Sequence, residues 1–81
     1  MSELEKKLKE AIKKFGEGVE IEDINDETEL VRDYNYDSIG IIQLIVELEE
    51  IFQIEIDDDS LELYKLSQYN ELLKLIIEKV E

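Results

Sequence analysis

The sequence contains no cysteine, histidine, proline or tryptophan. Without cysteine or histidine, the chain can form no disulfide, no thiolate zinc site and no Ser-His-Asp or Cys-His arrangement. We therefore expect a protein that is not an enzyme, and any reactive thiol must come from another molecule. Apolar runs of the ~20 residues that cross a bilayer are also missing, as are the basic and apolar regions of a signal peptide. We expect a cytoplasmic protein that does not insert into membranes.

Basic residues are scarce through the middle of the chain. Residues 15–64 hold 17 of the 23 acidic residues and one base, Arg32, while the eight lysines lie toward the two ends. The formal net charge is −14. A field of this sign repels nucleic acid and accelerates encounter with basic partners, although acidity also simply keeps a small domain soluble. The charge predicts no nucleic-acid binding.

The apolar content is sufficient for one core. With 81 residues, 43% of them hydrophobic, we expect a single domain over residues 1–81, present as a monomer. Apolar residues recur at helical spacing in three segments, which predicts an all-α fold: a small bundle of three main helices plus one short helix. We expect one shared core formed by Phe15, Leu44, Ile45, Leu48, Phe52, Leu72 and Ile76.

The helix boundaries are marked by capping residues. The first helix starts at a capping box formed by Ser2–Glu5 and ends at Gly16, where we expect a positive φ. The second starts at or just before Ser38. The third follows a cap at Ser67 and buries an apolar stripe consisting of Leu72, Leu75, Ile76 and Val80.

Two connections complete the predicted fold. Residues 16–37 are acidic and sparsely apolar, so we interpret them as a long loop between the first and second helices. Five apolar residues are expected to hold this loop to the core: Val19, Ile21, Ile24, Leu30 and Val31. Asp57–Ser60 supplies the start of a short helix that runs through about Leu63.

Ser38 stands out because of the residues that lead to it. At the start of a helix, its hydroxyl can simply cap an unpaired backbone N–H. However, Thr28–Ile39 resembles the segment before the modified serine of acyl carrier proteins, which reads Thr-x-Leu, an Asp-Leu-Gly-x turn, and then Asp-Ser-Leu or Asp-Ser-Ile. Asn35 replaces the family's glycine and tolerates a left-handed backbone. Tyr34 replaces leucine and needs a hydrogen-bond partner or an exposed edge.

The resemblance implies a carrier protein. In that family the serine, here Ser38, carries 4′-phosphopantetheine from coenzyme A through a phosphodiester, and the terminal thiol holds an acyl group as a thioester for fatty-acid, polyketide or related biosynthesis. Asp37 and Ile39 flank this serine. The expected partners are a phosphopantetheinyl transferase and acyl- or aminoacyl-loading and -processing enzymes with basic patches. The matching docking positions are Ile39, Gln43, Val46, Glu47, Glu49 and Glu50.

The residues themselves leave several alternative functions open. Gly40 and Gln43 replace acidic residues of the fatty-acid pattern and resemble the D-alanyl carrier proteins, with aminoacyl and peptidyl carriers as close relatives. Ile39 and Val46 can equally belong to the core. An unmodified acidic adaptor that binds basic partners would need Ser38 only as a cap.

Calcium loops starting at Asp23 or Asp33 lack the required glycine and glutamate, so we expect no metal site.

Overall fold

The computed structural model describes residues 3–56 and 63–80. Over these residues the backbone forms no named strand and one isolated antiparallel bridge, between Glu29 and Gln68. The predicted all-α bundle is confirmed, with three main helices and a short one before the last. In chain order the elements are α1 (Glu3–Phe15), a 3₁₀ turn (Ile21–Asp23), α2 (Leu30–Tyr34), α3 (Ser38–Phe52), α4 (Leu63–Leu66) and α5 (Tyr69–Val80).

The first helix forms between its predicted capping box and Gly16, as α1. Acidic residues occupy the first turn of α1 and lysines its last turn, so both ends complement the helix dipole. Its buried face consists of Leu8, Ala11 and Ile12. The proposed cap at Ser2 lies outside the described residues.

Gly16 closes α1 for a different reason from the one expected. Its N–H donates to the Ile12 carbonyl at 3.1 Å, but the positive φ of this turn occurs at Gly18, with φ 66°. At Gly16 an added Cβ would lie only 2.7 Å from the Val19 side chain and 3.0 Å from the Tyr36 ring. The prediction of a positive φ at Gly16 was therefore wrong: this glycine provides space for packing.

The predicted loop between the first two main helices contains structure of its own. Val19, Ile24 and Leu30 are buried as expected, whereas Val31 is 48% exposed and does not hold the segment to the core. The five-residue helix α2 was not predicted. Its two buried residues, Leu30 and Tyr34, lie one turn apart, which is too short a pattern to distinguish from a loop.

The second main helix supplies the centre of the core. The buried residues of α3 are Ile41, Leu44, Ile45 and Leu48, which face α1 and α4. Gln53 ends the helix in a left-handed conformation with φ 55°, and its N–H donates to the Glu49 carbonyl. Of the expected core, Phe15 and Phe52 are partly buried against it, and the five buried members are Leu44, Ile45, Leu48, Leu72 and Ile76.

The last helix starts one position later than its predicted cap implies. Because the Gln68 carbonyl accepts the Leu72 N–H at 3.0 Å, Gln68 rather than Ser67 occupies the N-cap position of α5. Val80, placed on the buried stripe from sequence, is 47% exposed. The expected helix start at Asp57–Ser60 lies outside the described residues, which resume at α4. In the described ranges no helix is long and apolar enough to cross a membrane.

Candidate functional site

A short, tightly bonded segment leads into Ser38. The Glu29 side chain caps α2 by accepting the Arg32 N–H at 2.9 Å. The helix ends at Asn35 with φ 60° and ψ 32°, so the predicted left-handed turn is confirmed. The N–H groups of Asn35 and Tyr36 both donate to the Leu30 carbonyl. These bonds fix the backbone up to two residues before Ser38.

Tyr34 and Tyr36, on either side of this turn, are both buried. The Tyr36 hydroxyl donates to the Ile12 carbonyl at 2.7 Å, which ties the segment to α1, and burial raises the pKa of Tyr36. Tyr34 is 8% exposed. Since no buried side-chain nitrogen or oxygen in the described chain lacks a partner, the Tyr34 hydroxyl reaches the surface. This is the exposed edge that its position required.

Asp37 is the residue that caps α3. Its Oδ1 accepts the Gly40 N–H at 2.7 Å, and its carbonyl accepts the Ile41 N–H at 2.9 Å, so it occupies the N-cap position. Ser38 is therefore the first helical residue. The reading of Ser38 as a cap is wrong, because the preceding carboxylate already satisfies the amide that a cap would bind.

The Ser38 side chain is exposed and available. Among the described residues, none forms a hydrogen bond with its hydroxyl. The N–H groups of Ser38 and Ile39 lie in the first turn of α3, where no intrahelical acceptor exists, and they point toward the positive end of the helix dipole. An anionic phosphodiester on this hydroxyl would lie in a favourable field, so the residues present fit a phosphate-linked prosthetic group.

The outward face of α3 continues from Ser38 as a mixed apolar and polar surface. Ile39 is 65% exposed, Val46 50% and Ile42 47%. Gln43 and Glu50 are also exposed. The structure thus places Ile39 and Val46 outside the core, which decides that alternative, and it adds Ile42 to the exposed residues. We call Ile39, Ile42, Gln43, Val46 and Glu50 the α3 outer face.

Glu47 and Glu49 lie on the two edges of this face. Glu47 forms an ion pair with Lys14 of α1 at 3.1 Å and keeps 24% of its side chain exposed. Glu49 accepts the Ile56 N–H at 2.9 Å and so holds the chain that follows α3. Both carboxylates have internal partners. Glu50, by contrast, has no ion-pair partner in the part of the chain that the structure describes.

The acidic loop residues do not converge. Within residues 3–56 and 63–80, no group of three or more acidic side chains is arranged to hold a metal ion. Arg32, the only base of the central region, instead pairs with the adjacent Asp33 through Nε and Nη2, at 3.0 and 3.1 Å. This pair lowers the pKa of Asp33.

Known proteins match most of this chain. The family model described as "Phosphopantetheine attachment site" matches residues 6–76. An acyl carrier protein of Desulforapulum autotrophicum is 40% identical over 76 residues, which cover 94% of this chain and 96% of that protein. An acyl carrier protein of Buchnera aphidicola is 42% identical over 62 residues, covering 76% and 78%.

A solved structure shares the fold. It is the hexanoyl ACP of the actinorhodin polyketide synthase from Streptomyces coelicolor, with a TM-score of 0.71 and 22% identity over 90% of this chain and 85% of that one. At this identity the likeness concerns the fold alone. Because the family model spans most of the sequence and a relative of similar length is 40% identical, the chain belongs to the phosphopantetheine attachment-site family of acyl carrier proteins.

Proposed function

We propose that this protein holds an acyl group as a thioester on a 4′-phosphopantetheine arm attached to Ser38, and delivers it between biosynthetic enzymes. The observation that carries the proposal is the exposed, unbonded Ser38 hydroxyl at the start of α3. When bound, the arm supplies the thiol that the sequence lacks. Membership in the family and the 40% identical acyl carrier protein support the acyl role.

The protein's own contribution is presentation rather than catalysis. Neither histidine nor cysteine is present to activate a nucleophile, so deprotonation of Ser38 belongs to the modifying transferase. Asp37 Oδ1 accepts the Gly40 N–H, which caps the first turn of α3 and leaves the Ser38 hydroxyl unbonded. The helix dipole then favours the phosphodiester anion.

The α3 outer face is the proposed docking surface for basic patches on partner enzymes. Three exposed isoleucine and valine side chains supply apolar contact area, and Glu50 supplies an unpaired charge beside them. Glu49 and Glu50 lie in the last turn of α3, where the negative end of the dipole disfavours carboxylates. Helix stability therefore does not explain Glu50, which has no ion-pair partner among the described residues, whereas attraction of a basic partner does. Glu47 and Glu49 contribute from the edges.

The cargo is proposed as acyl on the strength of the relatives, with an aminoacyl or D-alanyl cargo as the second candidate. Gly40 and Gln43 favour the second candidate, because they replace acidic residues of the fatty-acid pattern. A third reading, an unmodified acidic adaptor, needs no exposed serine. Its binding face would be the same.

The attachment test uses coenzyme A, a broad-specificity phosphopantetheinyl transferase and intact mass. Wild type is expected to gain one phosphopantetheine, and Ser38→Asn none, because an amide offers no nucleophilic oxygen. Ser60→Ala is the matched control, since it removes a different serine and should be modified like wild type. Wild type that stays unmodified beside a known carrier in the same tube, or a Ser38→Asn variant that gains the mass, would overturn the proposal.

The docking test compares charge reversals of equal size. Glu50→Lys should slow modification at low salt without abolishing it, because charges at the rim of an interface act mainly on the association rate. Glu47→Lys should have a smaller effect, because position 47 lies at the edge of the face and only 24% of the Glu47 side chain is exposed. Glu78→Lys on α5 makes the same change in net charge away from the face and serves as the control. Equal slowing by Glu50→Lys and Glu78→Lys would show that only net charge matters.

A further inference from the structure

The junction between α4 and α5 is bonded directly to the start of α2. The Leu30 N–H donates to the Ser67 carbonyl at 2.7 Å, and the Tyr69 N–H donates to the Thr28 carbonyl at 3.0 Å. All four residues are buried. Two distant parts of the sequence thus share buried backbone hydrogen bonds. Separating them is costly, because it would leave buried N–H and C=O groups without partners.

One carboxylate reinforces this contact. Glu29 Oε1 accepts the Ser67 hydroxyl at 2.6 Å, and Glu29 Oε2 accepts the Arg32 N–H at 2.9 Å. Hydrogen bonds to a charged acceptor are shorter and stronger than those between neutral groups. The same side chain therefore holds the α4–α5 junction and caps the helix that leads to Ser38.

A short hydrogen-bond path continues from this contact to Ser38. Leu30 is fully buried; its N–H binds Ser67, while its carbonyl accepts the N–H groups of Asn35 and Tyr36, the latter at 3.2 Å. Tyr36 directly precedes the Asp37 cap. Displacement of Ser67 would thus be transmitted through one residue to the backbone immediately before α3.

We propose that Glu29 and Ser67 are positioning residues for Ser38: by clamping α2 to the α4–α5 junction, they fix the orientation in which the serine is presented to the transferase. This inference rests on the proposed function. It adds that the α4–α5 junction, which contains no part of the attachment motif, determines how readily Ser38 is modified. The clamp acts on presentation and leaves the α3 outer face unchanged.

Amide hydrogen exchange on the unmodified protein tests the clamp itself. In Ser67→Ala and in Glu29→Gln, the amides of Leu30 and Tyr36 should exchange roughly threefold to tenfold faster, the range that follows from loss of one hydrogen bond. The Leu48 amide in the middle of α3 should keep its wild-type rate. Ser67→Thr retains a hydroxyl and should restore slow exchange. Unchanged exchange at Leu30 and Tyr36 in both variants would overturn the proposal.

The kinetics of Ser38 modification by the transferase test the consequence. They are measured well below the melting temperature of every variant. Ser67→Ala and Glu29→Gln should lower kcat roughly threefold to tenfold with KM for the carrier unchanged, because docking is intact and presentation is not. Ile76→Val removes one methyl group from the α5 core and is the control for a purely structural loss of stability. It should leave kcat at the wild-type value.

The outcomes separate the two proposals. If wild type is modified, and Ser67→Ala and Glu29→Gln react at the wild-type kcat, the positioning role is overturned and the attachment role stands. A fall in kcat that Ile76→Val reproduces overturns it as well, because stability alone would then explain the effect. A wild type that is never modified overturns both.

Discussion

Asp37 and Ser38 are adjacent residues with different roles at the start of α3. The Asp37 carboxylate binds the Gly40 N–H, so the helix depends on Asp37 for its cap. The Ser38 hydroxyl binds nothing within the described chain and faces solvent. Because Asp37 provides the cap and Ser38 provides the accessible hydroxyl, Ser38 can be covalently modified without loss of the cap.

This separation predicts unequal effects of two alanine substitutions. Asp37→Ala should lower the free energy of unfolding by about 0.5–2 kcal/mol, and Asp37→Asn by much less, because asparagine is an equally good cap. Ser38→Ala should change it by no more than about 0.5 kcal/mol, as expected for an exposed side chain. Urea denaturation of the three variants is the measurement. An equal loss in Ser38→Ala and Asp37→Ala would return the capping role to Ser38.

Buried tyrosines predict how stability depends on alkaline pH. Burial raises the pKa of Tyr36 and raises that of Tyr69 to about 12, whereas an unfolded tyrosine titrates near pH ~10. Between these values the unfolded chain loses protons that the folded chain keeps, so the free energy of unfolding is at its full value below pH ~10 and falls as the pH rises. Urea denaturation from about pH 8 to about pH 11.5 measures the decline.

The matching variant isolates Tyr36. Tyr36→Phe should cost about 1 kcal/mol at neutral pH, because the bond to the Ile12 carbonyl is lost, and should then lose less stability than wild type at alkaline pH. The Gly16 N–H still occupies that carbonyl, which limits the neutral-pH cost. An alkaline decline as steep as in wild type would show that Tyr36 does not contribute to it.

At the scale of elements, long periodic segments were predictable and short bonded ones were not. The apolar spacing of α1 and α3 extends over several turns, so the sequence was sufficient to place both helices and Ser38 at the start of α3. In contrast, α2 spans five residues and depends on contacts with Ser67, which lies 38 residues after Glu29 in the chain. Local patterns contain no information about such a partner, and they could not tell which apolar side of α3 faces the solvent.

The two sides of α3 predict opposite responses to the same truncation. Leu48 is fully buried, so Leu48→Ala should cost about 2–5 kcal/mol, a large share of the stability of a small domain. Ile42 is 47% exposed and is the matched control, for which Ile42→Ala should cost far less. Thermal and urea unfolding of both variants decide this. A similar loss in both would contradict the observed orientation of α3.

At the scale of the whole molecule, charge is poorly balanced. The net charge is −14, and the ion pairs described are exposed at their basic ends, with lysine and arginine side chains 59–71% accessible. Such pairs contribute little to stability. The acids of the central region therefore repel one another in the folded state more than in the expanded unfolded chain.

Added salt should consequently stabilise the protein. The melting temperature is expected to rise with sodium chloride, because the screening length falls from about 10 Å at 0.1 M to about 3 Å at 1 M. Replacing exposed loop acids, as in Glu20→Gln with Glu22→Gln, should raise the melting temperature at low salt and flatten its salt dependence. A wild-type melting temperature that does not change with salt would show that repulsion is already compensated in the folded state.

Gly40 packs so closely against Tyr36 that a substitution at position 40 also affects Tyr36. An added Cβ at Gly40 would lie 3.1 Å from the Tyr36 ring and 3.2 Å from Asp37 Oδ1, both closer than ordinary van der Waals contact. An acidic residue grafted two positions after Ser38, as the fatty-acid pattern has it, would press on the ring that ties the segment to α1 and on the cap of α3. Redesign of cargo or partner preference at position 40 must therefore accommodate both contacts, through a shift of the Tyr36 ring and the Asp37 carboxylate by a few tenths of an ångström.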